Sequence, residues 1–239
     1  MIKLVISGAC GKMGSRILNL AQKDKDFKII AGLEQKNHPQ VGKIINNVLI
    51  SSNQEDLKNA DCFVDFTTPL GTLENLAVAL KYKKPLVIGT TGFSPGQTKG
   101  IKKASKKIPI VFSPNMSIGV NLFFRLVREL TSKLSKDYKV NIIEAHHVHK
   151  KDAPSGTAKK IKQIIDEFGQ QKVLGVQSIR EGEIVGDHKV IFESDFDKIE
   201  LFHSAKTRDI FAQGALVAAK WLVKNKKKNG LYDMGDILG

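Results

Sequence analysis

The sequence predicts an α/β protein in two unequal parts. Through residue 117, near-continuous apolar runs alternate with helical stretches, the pattern of a parallel sheet covered on both faces. Beyond residue 139, strands succeed one another across short turns, which points to a smaller α+β part on a mixed or antiparallel sheet. A glycine-rich turn between the first strand and the first helix is the third observation.

IKLVIS (2–7) reads as a strand, and the glycine turn after it opens a helix reaching about Lys23. FKIIAGLE (27–34), CFVDFT (62–67), PLVIGTT (85–91) and PIVFSP (109–114) are the next apolar strands, with helical stretches between them. SIGVNLFFRLVRELTSKL (117–134) carries a helical stripe of Ile118, Leu122, Phe123, Leu126, Val127, Leu130 and Leu134. KVNIIEAHH is a strand, and one helix follows Pro154. VQSIRE, HKVIFES and KIELFHSA are strands, and a last helix from about Thr207 to Lys224 presents Ile210, Phe211, Leu216, Val217 and Trp221.

The 239 residues can bury a sizeable core, and 41% hydrophobic with 26% charged residues is ordinary for a globular protein. Cys10 and Cys62 are too few for a disulfide framework and match no zinc or redox spacing, so a reducing cytoplasm is expected. MIKLVISGAC reads as a strand entering a turn, not as a signal peptide, and no apolar run approaches the roughly 20 residues that cross a bilayer. Thirty-eight Lys and Arg against 24 Asp and Glu give +14, which suits either an anionic substrate or nucleic acid. Lysines such as Lys102, Lys103, Lys106, Lys107, Lys159, Lys160 and the run KNKKK (224–228) have no aromatic residues interleaved for base stacking. A solvated basic surface is therefore expected, with neither nucleic acid nor membrane as partner.

GACGKMG (8–14) is the first chemical signal. Against G-x-G-x-x-G, Ala9 takes the first glycine's place, Gly11 and Gly14 fall in register, and Gly8 adds freedom just before. Small residues here let the backbone approach a pyrophosphate at a helix N-terminus. Glu34 ends the second strand 20 residues after Gly14, where a carboxylate can hold a ribose hydroxyl. The strand ends GTTG (89–92) and SPNMS (113–117), with FTTP (66–69), read as floor and wall of one cofactor cleft, since ligands lie beyond the carboxyl ends of parallel strands. The first part is thus expected to be a Rossmann-like dinucleotide-binding domain.

EAHHVHKKDAPSGTA (144–158) is the second signal. His146, His147 and His149 with Glu144 and Asp152 could suggest a metal, but adjacent strand residues point to opposite faces and no cysteine helps, so none is expected. Ser155, Gly156 and Thr157 just before a helix make an anion site suited to a carboxylate, with Lys150 and Lys151 adding charge nearby. Imidazole and ammonium groups beside it can supply protons.

Together GACGKMG, FTTP, GTTG, SPNMSIGVN and EAHHVHKKDAPSGTA resemble the dihydrodipicolinate reductase family, from Ile2 to the closing GLYDMGDIL. The resemblance implies NADH- or NADPH-dependent reduction of a cyclic dicarboxylate imine on the diaminopimelate route to lysine, by a homotetramer joined mainly through the second domain's sheet. It implies that His146 and Lys150 are catalytic and that His147, Gly156 and Thr157 bind substrate, to which the anion site read at the helix start adds Ser155. It gives the cofactor contacts as Gly8, Ala9, Cys10, Gly11, Lys12, Met13, Glu34, Gly89, Thr90, Thr91, Ser113, Pro114, Asn115 and Met116. It also returns the last helix to the cofactor domain, making that domain discontinuous (1–117 and 208–239) around a substrate and tetramerisation domain (118–207).

Two departures from the family pattern stand out. The segment between the helix after Gly156 and the strand ending in SIRE is short, and Gln35 stands where members that grip a 2′-phosphate often carry a basic residue. From the residues alone, another Rossmann oxidoreductase of the aspartate-semialdehyde type and a non-catalytic nucleotide-sensing or nucleic-acid-binding protein remain as alternatives; the former needs a nucleophilic cysteine.

Overall fold

The computed structural model describes residues 1–225 and 227–239; Lys226, in the basic run at 224–228, lies outside them. The chain forms two compact units, Met1–Ser117 with Phe211–Gly239, and Ile118–Ile210.

The first unit begins β1 (Ile2–Ser7), α1 (Gly14–Lys23), β2 (Phe27–Leu33), β3 (Ile44–Ile45) and β4 (Val48–Ser51), then a 3-10 turn at Gln54–Asn59. It continues β5 (Cys62–Asp65), α2 (Pro69–Lys81), β6 (Leu86–Ile88), α3 (Pro95–Ala104) and β7 (Pro109–Phe112). The second unit holds α4 (Ile118–Lys133), β8 (Lys139–His146), α5 (Gly156–Phe168), β9 (Lys172–Arg180), β10 (Asp187–Glu193) and β11 (Lys198–Ser204). The chain then returns to the first unit within α6 (Asp209–Lys224), from Phe211 on, and completes it with β12 (Gly230–Tyr232) and α7 (Met234–Leu238).

The sheet of the first unit runs β12-β7-β6-β5-β1-β2-β4-β3, and only the β3–β4 pair is antiparallel. From β1 the chain moves outward one way through β2 and β4, then the other way through β5, β6 and β7. That reversal opens a crevice at the carboxyl ends of β1 and β5, the switch point where doubly wound sheets take ligands. Val5, Phe63, Leu86, Ile88 and Ile110 are buried in its core, consistent with strands covered on both faces. Thr68 and Ser94 cap α2 and α3, each followed by a proline in the first turn, so both helices start at the ends of strand-loop segments facing the crevice edge.

The second sheet runs β11-β10-β8-β9, with β10 antiparallel to both neighbours and β8 parallel to β9. β8 alternates strictly: Val140, Ile142, Glu144 and His146 are buried on one face, and Asn141, Ile143 and Ala145 are half-buried on the other. Val140 and Ile142 pack with Phe123 and Val127 of α4 and Ile161 and Ile165 of α5. The face that builds this core therefore carries Glu144 and His146 at its carboxyl end.

Two expected stripes are modified. In α4, Phe123 and Val127 are buried while Leu122 and Leu126 are each more than two-fifths exposed, because the stripe is wider than the face the second unit covers. In α6 the buried side is small: Ala212, Gly214, Ala215, Ala218 and Ala219, with Leu216 and Leu222. A Cβ on Gly214 would lie 1.7 Å from the Met116 carbonyl oxygen, so the helix backbone approaches the end of the SPNM loop too closely for a larger residue.

Candidate active site

The glycine turn does what its pattern requires. Gly8, one residue before the expected position, takes the left-handed conformation with φ +73°, and an added Cβ would meet the Phe66 carbonyl oxygen at 2.4 Å. A Cβ on Gly14 would lie 1.9 Å from the Gly8 carbonyl oxygen, so only glycine lets α1 start this close to the turn. No side chain caps α1, which leaves its N-terminus to a ligand. Ala9 is buried behind the turn, and Lys12 is exposed in front of it with Met13 half-buried.

Glu34 follows β2 and its Oε1 accepts from the Cys10 amide at 2.7 Å, tying the acidic residue to the turn. A cleft of about 650 Å³ lies beside this contact, lined by Gly8, Cys10, Gly11, Glu34, Gln35 and Lys36 and closed by Thr67, Thr68 and Gly71. Burial, then the neighbouring Glu34 charge, raises the Cys10 thiol, and burial pushes Cys62 up to about 12. Neither is an activated nucleophile. Among the described residues one trio could converge on a metal ion: Cys10, Glu34 and His38, with donor atoms within 4.8 Å of one another. It walls this cleft, with Glu34 held by the Cys10 amide and His38 Nδ1 accepting from the Gln40 amide at 3.3 Å.

The ends of β6 and β7, at 89–92 and 113–116, lie on the same carboxyl edge but outside that cleft. A residue the motif reading passed over organises part of that edge: Asp65, fully buried at the end of β5. It accepts from the Thr67 amide and hydroxyl, from the hydroxyls of Thr72 and Thr90, and from the Asn75 amide, which also donates to Ser7 Oγ. One carboxylate thus ties together the ends of β1, β5 and β6. The Thr90 hydroxyl is used inside the protein, whereas Thr91 is exposed and Gly89 sits against the Phe66 ring, where a Cβ would be 2.1 Å from Cζ. Ser113 donates to the Asn115 carbonyl and is buried with Met116, while Pro114 is exposed. An acidic residue closing an apolar strand, one residue short of Thr-Thr-Pro, is the available signal for Asp65.

In the second unit, Glu144 and His146 stand side by side on the inner face of β8. His146 Nδ1 forms a short hydrogen bond with Glu144 Oε2. Arg180, ending β9, donates from Nη1 and Nη2 to the two Glu144 oxygens at 3.1 and 2.9 Å, and the Ser155 amide adds a bond at 3.2 Å. Burial alone would raise the Glu144 carboxyl, but hydrogen bonds from Arg180, Ser178 and His146 outweigh it and hold it near 2. Burial lowers His146 against the opposing pull of Glu144. The charges that fit this geometry are an ionised Glu144 paired with the guanidinium and a neutral imidazole donating from Nδ1. Nε2 is then the free nitrogen.

Lys150 Nζ lies 2.7 and 2.9 Å from the Asp152 oxygens, and that contact lowers the Asp152 carboxyl. Ser155 caps α5 by accepting from the Ala158 amide, and its hydroxyl also meets His188 Nε2 at 3.2 Å. Its hydroxyl and amide are both engaged within the protein, so the exposed Gly156 and half-buried Thr157 form the open part of the helix N-terminus. His147 faces away from His146, with Nε2 3.2 Å from Arg208 Nη2, and His149 is exposed. The three histidines do not converge on one point. Arg180 and His188 were missed by the sequence reading, because only strand pairing brings them beside His146.

A dinucleotide-type glycine turn with an uncapped helix, together in one chain with a helix N-terminus open at Gly156 and Thr157 and a histidine and a lysine on the preceding segment, fits the class of nucleotide-dependent oxidoreductases. The chain belongs to the dihydrodipicolinate reductase family: the family's N-terminal model matches residues 2–116 and its C-terminal model residues 119–238. It is 40% identical over 267 aligned positions to a 4-hydroxy-tetrahydrodipicolinate reductase of Syntrophus aciditrophicus, covering 100% of this chain and 99% of that one. The like-named protein of Methanoregula boonei is 41% identical over 258 positions, covering 100% and 98%. A solved dipicolinate-bound dihydrodipicolinate reductase of Paenisporosarcina sp. TG-14 shares the fold, with TM-score 0.84 at 24% identity, covering 98% of this chain and 97% of that one.

Proposed function

We propose that the chain reduces 4-hydroxy-tetrahydrodipicolinate to tetrahydrodipicolinate with NADH or NADPH, in the diaminopimelate route to lysine. Relatives of that name match it end to end. The carrying observation is the grouping in one unit of the open part of the α5 N-terminus at Gly156 and Thr157, Lys150, and His146 held by Glu144. An anion cradle beside two proton-handling groups suits a small dicarboxylate that must be both neutralised and protonated.

The glycine turn fits a dinucleotide: Gly8 and Gly14 clear the backbone, the uncapped start of α1 attracts a pyrophosphate, and the free oxygen of Glu34 can accept from ribose hydroxyls. When bound, NAD(P)H supplies the hydride. Gly89, Thr90, Thr91 and the 113–116 loop form the rest of that face, in part through backbone groups. On the substrate side, the amides of Gly156 and Thr157 and the Thr157 hydroxyl hold one carboxylate, with His147 as a further contact. The 4-hydroxyl is lost as water, and Lys150 leaves Asp152 for the substrate and, as an ammonium, gives the proton needed by the electron-rich carbon that hydride addition creates, so that hydride, proton and water balance. His146, presenting Nε2, orients the substrate by hydrogen bonding.

The open face of the second sheet, with Ile143, Ile191 and the 60% exposed Phe202, suits assembly into a homotetramer. No helix among the described residues is long and apolar enough to cross a membrane, and the protein is proposed to work in the cytoplasm. An aspartate-semialdehyde-type reaction is disfavoured because both thiols are raised. The test is a coupled assay that generates the unstable substrate in place and follows NADH and NADPH absorbance separately. Cofactor oxidation that depends on the substrate supports the assignment; its absence with both cofactors overturns it.

A further inference from the structure

We infer that Arg180 and Glu144 form a positioning node that holds His146 in one tautomer and fixes the backbone carrying Lys150, so that one ion pair sets both proton-handling groups. The inference rests on the roles proposed above for His146 and Lys150.

Glu144 is fully buried, at a place where the adjacent inward positions of β8, Val140 and Ile142, are apolar core. A carboxylate there is costly unless paired, and an apolar residue would serve packing at least as well. Its oxygens are shared among Arg180, His146, Ser178 and the Ser155 amide. The pairing register puts His146 opposite Arg180 and Glu144 opposite Ser178, so β9 delivers the guanidinium to this corner from the neighbouring strand.

Arg180 reaches further than Glu144. Its Nε donates to the Lys150 carbonyl at 3.3 Å and its Nη2 to the Asp152 carbonyl, on either side of Lys151. The backbone that aims the Lys150 side chain is therefore fastened to the group that holds Glu144. A guanidinium can do this because its donors form a rigid fork; a lysine offers only a point charge.

The same contacts decide the state of His146. An ionised Glu144 draws the imidazole proton to Nδ1 and leaves the Nε2 lone pair free. A Cβ on Gly186 would stand 3.0 Å from Nε2, so the glycine there keeps that edge clear. The Arg180 charge offsets that of Glu144, so the carboxylate orients the ring without making it strongly basic. The other titratable groups around His146 are Lys150 on the loop and His188 on β10, whose ring lies 5.2 Å away. Lys150 opposes a positive charge on the ring, as Arg180 does, and His188 stays neutral beside it.

The test uses full-length Glu144→Gln and Arg180→Lys. In ¹⁵N-histidine NMR spectra, His146 of the unaltered protein is expected as the Nδ1–H tautomer at neutral pH, with a shift toward the Nε2–H form in Glu144→Gln. That variant should lose at least about tenfold in kcat, with KM for NADH unchanged, since orientation is a part of what acid–base groups contribute. Its acidic kcat limb should move to lower pH, because Arg180 is left uncompensated beside the imidazole. Arg180→Lys keeps the charge but loses the backbone clamp; it should lower kcat and raise substrate KM while keeping the tautomer. A merely structural pair would lower Tm and leave the tautomer and the pH profile in place, and that result overturns the inference. His146 found as Nε2–H in the unaltered protein also overturns it. If His146→Gln and Lys150→Ala keep full activity, it is the assignment of those two residues that fails, whereas loss in both with normal kcat in Glu144→Gln refutes the node alone.

Discussion

Replacing Glu34 by Gln tests how the cofactor cleft chooses its ligand. The amide oxygen can still accept from the Cys10 amide, which now reaches Oε1 at 2.7 Å, so the glycine turn keeps its anchor. What disappears is the charge facing the cleft. For NADH, a hydrogen bond from a ribose hydroxyl to a carboxylate becomes one to a neutral amide, a loss of about 1 kcal/mol, the gap between charge-assisted and neutral hydrogen bonds. For NADPH the effect has the opposite sign. A unit charge about 4 Å from Glu34 is repelled by roughly 1 kcal/mol in water and 4 kcal/mol at an effective dielectric constant of 20. The cleft is open and Gln35 and Lys36 are exposed, so the low end applies. Adding the two effects, the ratio of kcat/KM for NADH to that for NADPH should fall by roughly thirtyfold, about 2 kcal/mol. In the unaltered protein NADH should serve at least as well as NADPH, because Gln35 brings no positive charge to a 2′-phosphate. Initial rates with each cofactor at fixed substrate, together with a Tm for each protein, give the answer. An unchanged ratio with an unchanged Tm would show that Glu34 anchors the turn and does not read the ribose, and a strong NADPH preference in the unaltered protein would show that Lys12 and Lys36 dominate.

Two other perturbations separate binding from folding. Thr157→Val keeps the shape of the α5 N-terminus but removes a hydroxyl; substrate KM should rise about tenfold or more, from roughly 1.5–3 kcal/mol for a bond to a charged group, while NADH affinity stays put. An unchanged KM would reduce the Ser-Gly-Thr segment to a helix cap. Burial and the neighbouring His146 push His188 down to about 4 from 6.5, so it stays neutral in the fold while the unfolded chain protonates below 6.5. Its stabilising contribution is complete above that pH and is lost as pH falls toward 4, by up to about 3 kcal/mol. His188→Gln should flatten Tm against pH in that window, and an unaltered slope would exclude His188 as the acid-sensitive group.

The sequence made the local chemistry visible and left the non-local chemistry hidden. A parallel sheet followed by a mixed one was legible because buried strands read as apolar runs, and the glycine turn because its spacing is a steric demand. Even there Gly8, not Ala9, takes the left-handed conformation. The β3–β4 hairpin was overlooked although Asn46 and Asn47, both at positive φ, sit between Ile44–Ile45 and Val48, a turn that asparagine favours. Leu122 and Leu126 belong to a helical stripe by spacing, yet the second unit leaves them exposed. Ser155 reads as part of an anion site because it stands at a helix start; the cap it makes on α5 is legible there too, whereas the contact of its hydroxyl with His188 is not. Arg180 lies 36 residues from Glu144, and only parallel pairing of β8 with β9 brings them together. Nothing in either local segment announces that contact.

The most direct measurement compares Lys150→Ala with Lys151→Ala in the coupled assay, alongside NADH binding to each variant. The two lysines are neighbours on one loop, but Lys150 is partly buried against Asp152 and Lys151 is exposed. Loss of a general acid is typically worth 10²–10⁴-fold, so Lys150→Ala should lower kcat at least about a hundredfold with NADH affinity intact, and Lys151→Ala should be mild. Near-full kcat in Lys150→Ala with loss in Lys151→Ala would contradict the assignment of the proton-donating residue and with it the register of the whole 144–158 segment.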